Sequence, residues 1–451
     1  MKLRIVDLLV MPIVLISVVG CAPQAPAPTP AAAPAGGHAA PQVKPAPAAA
    51  AISAAESGHD SDNEDDVAAL VKLGARLTYD AHHSVTTATF IDTSAKDADL
   101  AHLKGLPGLK RLTLKGPQFS DAGLEHVAGL AQLEVLGLEN TATSNAGLEK
   151  IANLSQLRSL NLRRTDISND GLQHLNRLKQ LQELDIRFTN IGDSGLEHLQ
   201  SMHSLKTLKF ENSQISDAGL KYLVGLTGLE RLNFVKTGFT DEGMRQLAVF
   251  KHLKGLEIDD TQVTDAGMQV LAGFPELDTL YARRDFIGDN GVAHLAGLTK
   301  MKRLSLRDTT VTDAGLAHLA PLKQLVLLDL DENTLVGDAG LAHVAGLTNL
   351  VELSLWSTKT TDAALANFAG LTHLEILNLE NTAVTDAGLK ALEPLRGLQD
   401  LNLNHTGVTD AGLAQLKGLT KLKKLSLAFT GVTDAGVQNL QTAVPACKIV
   451  R

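Results

Sequence analysis

The chain has 451 residues, of which 44% are hydrophobic but only 3% aromatic, and its formal net charge is −9. That charge argues against a global attraction to nucleic acid or to an anionic lipid surface, and the shortage of rings calls for a core packed with aliphatic side chains. The two cysteines, Cys21 and Cys447, stand at opposite ends of the chain and offer no readable disulfide framework.

Lys2 and Arg4 make a short positive start, with Asp7 as an untypical acid. The apolar run "LLVMPIVLISVVG" at 8–20 follows; it is short for a membrane span and Pro12 interrupts it. It ends in "VVGC" at 18–21, which resembles the lipobox of bacterial lipoprotein signal peptides. The resemblance implies that residues 1–20 are a signal peptide and that Cys21 is lipidated as the mature N-terminus. It also implies a lipid-anchored, extracytoplasmic place in the cell envelope, and Ala22 is compatible with an outer membrane. The competing reading is a plain secretory signal that meets a cysteine by chance. Residues 21–66 read as a disordered linker, rich in Pro and Ala and then acidic in "ESGHDSDNEDD" (56–66). Its polyproline character gives a reach of up to about 100 Å at ~3.1 Å per residue. The acids suit a solvated lead into a helix N-terminus better than a weak cation site. Residues 67–98 read as a capping unit, with a helix followed by a strand in "DDVAALVKLGARLTYD" (65–80) and a second strand in "VTTATF" (85–90).

From residue 99 to 451 the chain is periodic. The Gly of "DAGL" recurs every 24 residues from Gly123 to Gly315, then after one extra residue at Gly340, then at Gly388, Gly412 and Gly436, with Ala364 in its place once. A fixed period over this length outranks any single motif. After each Gly, apolar residues at +1, +4, +7 and +10 make a helical stripe, as in Leu413, Leu416, Leu419 and Leu422. The pattern L-x-x-L-x-L follows, as in Leu422, Leu425 and Leu427, and its last step alternates like a short strand. One strand and one short helix cannot bury an apolar edge alone, so the units stack and their strands form one parallel sheet.

The 24-residue unit with "TDAGL" opening its helical half resembles the leucine-rich repeat family, in a shortened form of the cysteine-containing subclass. The resemblance implies an α/β solenoid (horseshoe) with a long parallel sheet on the concave face and short helices on the convex face. The subclass position for Cys or Asn is mostly Thr here, from Thr141 to Thr430, and a buried hydroxyl there can bond the turn backbone. That subclass also includes substrate-recognition adaptors of the ubiquitin-ligase type, an alternative role; no F-box-like segment precedes the repeats.

The Asp two residues before each Gly, replaced only by Asn145 and Asn169, follows a Thr, Ser or Gly, and this reads as helix-cap chemistry: a side-chain oxygen for an orphan N–H. One carboxylate per stacked unit is too sparse for a calcium ladder. His126, His174, His198, His294, His318 and His343, with His102 in the degenerate first unit, form a broken column that reads as exposed filler rather than metal ligands. No metal site, cofactor site or catalytic residue is expected, since no P-loop, G-x-S-x-G, H-E-x-x-H or nucleophile set is present.

What does not repeat is the set of strand residues that alternate with buried Leu and must face outward. Their most distinctive run carries Glu257, Asp259, Tyr281, Arg283, Arg303, Arg307, Asp329, Asp331, Glu352 and Trp356, the only Trp, with Arg284 just after its strand. Trp, Tyr and Arg dominate interface energetics. Ala282 and Asp285 also break the repeat in this run. The expected function is therefore a monomeric, membrane-tethered binding scaffold that takes a protein, or a glycan, on its concave face, without catalysis. A structural or adhesion spacer of the envelope is the competing reading.

Overall fold

The computed structural model describes residues 61–451, so the expected signal peptide, the Cys21 lipidation site and nearly all of the linker lie outside the described residues. Each 24-residue unit places a three-residue strand with one inward Leu at its centre, as in Arg303–Ser305 around Leu304. Leu280, Leu304, Leu328, Leu353 and Leu377 sit in register across successive parallel strands. The described residues form a sheet of 17 strands. All pairings are parallel except the first, where Arg76–Tyr79 adds antiparallel to Val85–Phe90 and covers the N-terminal edge.

The other half of each unit is a short helix, α-helical over Asp313–Leu316 and 3₁₀ over Ala317–Leu319 in one example. Leu316, Leu319, Leu322, Leu325, Leu328 and Leu330 of that unit are all fully buried, so both the helical stripe and the strand alternation point into one core. Phenylalanines replace some of these leucines between Phe210 and Phe274, and the rings of Phe234 and Phe239 stack at 4.3 Å.

The repeated Asp does not cap its own helix. Thr312 does that, its Oγ accepting the N–H of Ala314 at 3.2 Å, while Asp313 reaches into the next unit and accepts the N–H of Gly337 at 2.7 Å. The same link joins every unit to the next from Asp97–Ser120 to Asp410–Thr433, at 2.7–3.0 Å. Where an Asp faces a Ser or Thr, that hydroxyl donates to the second carboxylate oxygen as well, as Thr312 does to Asp289 at 2.7 Å, whereas Asn145 donates its Nδ2 to Ser168 Oγ at 2.8 Å. The carboxylates are thus a staple between units, and Asn145 and Asn169 serve because one oxygen suffices for the main-chain bond. Arg451 closes the ladder by donating to Asp434.

The Thr position behaves as read. Thr165, Thr189, Thr382 and Thr406 each donate at 2.6 Å to the carbonyl three residues earlier. The residue before it sits in the left-handed region in every full unit, with φ of 53–62° from Asn140 to Phe429. That conformation costs an ordinary side chain roughly 1–2 kcal/mol, less for Asn or Asp. Phe429 adopts it with φ 58° while 80% exposed, its ring stacked on His405 at 4.3 Å. Phe429→Asn is expected to raise the unfolding free energy by about 0.5–1 kcal/mol in urea titration; a loss would mean that the His405 stack outweighs the backbone term.

At the N-terminal end Glu64, Asp65 and Asp66 are the first turn of the helix Glu64–Lys72, capped by Asn63, so the helix begins ahead of residue 67. His102 is not filler: its Nδ1 lies 2.6 Å from Asp66 and ties that helix to the first repeat. At the other end the helix Asp434–Ala443 leads to the strand Lys448–Val450. Cys447 is buried beneath it, and burial pushes its thiol up to about 11.

Candidate partner-binding face

Because each central Leu turns inward, the residues on either side of it face out from the sheet. The structure brings Tyr281, Arg283, Asp329, Asp331 and Glu352 together around a cleft of about 310 Å³, which Ser305, Leu327 and Ser354 also line. Those last three were legible as outward-facing strand positions but carried no charge or ring to single them out. Leu328 and Leu353, at the centres of two of these strands, are fully buried and in register.

The alternating charges around this cleft are largely spent on one another. Asp259 is 1% exposed and accepts from the Arg283 main-chain N–H at 2.8 Å and from its Nε at 2.7 Å. Arg284 lies in the left-handed turn beyond its strand, off the cleft, and pairs with Asp260 at 2.5 and 2.6 Å. This pairing holds the Asp260 carboxyl below its ordinary value and raises the Arg284 guanidinium. Arg307 donates to Glu332 and lies 4.9 Å over the ring of Trp356. Glu257 accepts from Asn233 at 2.6 Å, two strands away from the cleft residues of Arg303–Ser305, and burial raises its carboxyl.

The three acids that line the cleft, Asp329, Asp331 and Glu352, make no ion pair among the described residues. Asp329 accepts from Ser305 Oγ at 2.7 Å and from the Asp331 N–H at 3.1 Å. Asp331 accepts from Ser354 Oγ at 2.5 Å and from the Trp356 N–H at 2.8 Å; burial raises its carboxyl and the nearby Asp329 adds to that. The side chain of Glu352 is half-buried and makes no hydrogen bond or ion pair among the described residues, and burial and then Asp329 raise its carboxyl too. The exposed Arg303 likewise makes no ion pair among the described residues. The face therefore offers a mixed set of unspent charges beside a half-buried Tyr and Trp.

Asp285 is separate from the cleft. It occupies the Thr position, is 3% exposed, and burial pushes its carboxyl up to about 7 against the hydrogen bonds from Thr261. Among the described residues no group of three or more His, Cys, Asp or Glu is arranged to hold a metal ion, and no helix is long and apolar enough to cross a membrane.

A stack of parallel one-strand units with a leucine ladder and a threonine turn is a leucine-rich repeat solenoid. Three family models agree: a leucine-rich repeat region matches residues 101–292, and leucine-rich repeat models match 348–408 and 418–440. The chain belongs to the leucine-rich repeat proteins. Comparison with the curated protein sequences returns no match. Among solved structures it is similar to an internalin (inlF) from Listeria monocytogenes, with TM-score 0.55 and 24% identity over 67% of this chain and 82% of that one. It is also similar to a leucine-rich repeat protein of Leptospira interrogans, with TM-score 0.54 and 20% identity over 78% of this chain and 86% of that one. At these identities the likeness shows the fold alone.

Proposed function

We propose that the protein is a membrane-tethered, extracytoplasmic binding scaffold, lipid-anchored through Cys21, that takes a protein partner on the sheet face between Thr279–Tyr281 and Glu352–Ser354. One observation carries this reading: four consecutive units hold the only Trp, a Tyr and several side chains foreign to the regular units. Tyr281, Ala282 and Asp285 fall in the first, the unpaired Arg303 in the second, the extra residue and the buried Asn333 in the third, and Glu352 and Trp356 in the fourth. A solenoid needs only its repeated positions to fold, so the solvent-accessible members of this set, Tyr281, Arg303, Glu352 and Trp356, are available for recognition.

The test is affinity capture from envelope extracts with residues 58–451, which form one compact unit, followed by titration of the captured partner. Trp356→Ala and Glu352→Lys are each expected to weaken binding by roughly 30-fold or more, the scale of an interface hot spot, with an unchanged melting temperature. Arg283→Glu is unsuitable, because it would set a second carboxylate against the buried Asp259 and damage the fold. Equal affinity in both variants would remove this face from consideration, and capture only by a glycan array would replace the protein partner with a glycan. The anchor is tested separately: radiolabelled lipid incorporation should disappear in Cys21→Ala.

A further inference from the structure

Asp285 sits where the repeat supplies a hydrogen. In the regular units the Thr hydroxyl donates to the carbonyl three residues earlier, as from Thr358 to Leu355 at 2.8 Å and from Thr430 to Leu427 at 2.7 Å. Asn333 fills the same position two units beyond Asp285 and shows what a planar side chain does there. Its Oδ1 accepts from the N–H and Oγ of Thr309 at 3.2 and 2.9 Å, and its Nδ2 donates to the carbonyls of Leu306 and Leu330 at 2.7 and 3.0 Å.

Asp285 reproduces the accepting half of this pattern. Its Oδ1 takes the N–H and Oγ of Thr261 at 2.8 and 2.9 Å. Its Oδ2, the counterpart of the Asn333 Nδ2, is buried and has no hydrogen-bond partner. By the repeat, the carbonyls that correspond to Leu306 and Leu330 are those of Ile258 and Ala282. An ionised carboxylate would turn a negative oxygen toward two acceptors in a site without water-facing surface. A protonated one has the hydrogen that the position calls for.

We propose that Asp285 is a proton-binding site: in the folded protein it is a neutral carboxylic acid whose Oδ2 hydrogen is donated to a main-chain carbonyl, and loss of that proton loosens the solenoid beside the cleft. The charged groups around it favour the neutral form. Asp259 and Asp260 of the preceding unit both oppose ionisation. Arg283 and Arg284 of its own unit are turned to those two carboxylates. In the following unit Arg307 is held by Glu332, and Asp308 is a further acid.

The direction of the pH effect follows. The folded carboxyl lies near 7 and the ordinary value is 3.8, so the unfolded chain gives up the proton first. Stability is full below the ordinary value, falls as pH rises from there toward 7, and is flat above. Asp285→Asn supplies a permanent donor of the same shape, and Asp285→Thr restores the residue of the regular units.

The experiment is urea unfolding of the full chain and of both variants from pH 5 to pH 8, with amide exchange corrected for its intrinsic rate. The folding constant of the wild type is expected to fall relative to either variant by on the order of 100-fold across that range. Exchange in residues 258–285 should quicken at the upper end in the wild type only. Parallel pH profiles for the wild type and both variants would overturn the proposal, as would exchange in 258–285 that changes equally in all three. Because the threonine variant carries the side chain of the regular units, a folding failure confined to Asp285→Asn leaves the comparison intact.

Discussion

Leu328→Ala is expected to lower the unfolding free energy by about 3–5 kcal/mol, the upper range for a leucine lost from a rigid core. Leu328 is 0% exposed at the centre of the strand Leu327–Asp329, in register with Leu304 on one side and Leu353 on the other. The core of a solenoid unit packs against its two neighbours, so the cavity weakens two interfaces at once and interrupts a one-dimensional array in its middle. The urea transition should therefore broaden or split as well as shift, with the units before and after residue 328 melting apart. A loss below about 1 kcal/mol with an unchanged slope would mean that the core collapses around the missing side chain and that the ladder of leucines is not what couples the units.

Gly315→Val is expected to cost about 3 kcal/mol, and Gly315→Ala about 1–2 kcal/mol. Helix propensity alone gives alanine the opposite sign, a gain of up to about 1 kcal/mol, so the sign decides the mechanism. A Cβ at Gly315 would overlap Oδ1 of Asp289, the atom that accepts from Thr312, and would stand 3.0 Å from Val311 Cγ1. The glycine is there to let the staple of the preceding unit pass. Ala364 shows what one unit does instead: it is fully buried, and the bond from Thr361 to Asp338 is kept at 2.9 Å. Denaturant titration of Gly315→Ala would refute the close-approach account if stability rose.

The sequence made the solenoid legible because its information is local. Spacings of three and two residues set the helical stripe and the strand alternation, and those positions are the buried ones from Leu316 to Leu330. Of the side chains expected on the open face, Tyr281, Arg283, Asp329, Asp331 and Glu352 gather round one cleft. The sequence misplaced the work of the repeated Asp, since nearness to a helix start is visible in one unit whereas the bond to Gly337 is made 24 residues away. The sequence places His102 in the convex column because its partner, Asp66, belongs to a cap with no counterpart in the repeat. The charge bands suggest recognition in the sequence, and the structure spends many of them internally, as in Asp259–Arg283 and Asp260–Arg284.

Asp285 marks the boundary most clearly. Its departure from Thr was plain in the sequence, but whether its second oxygen meets a donor, water or a carbonyl depends on the stacking of three successive turns. The period by itself determined the fold, because a unit with one apolar edge can bury it only against its own kind. The chemistry of individual side chains was decided by the tertiary structure, because the offset between stacked turns fixes which neighbouring unit each polar atom faces and whether it remains free for a partner.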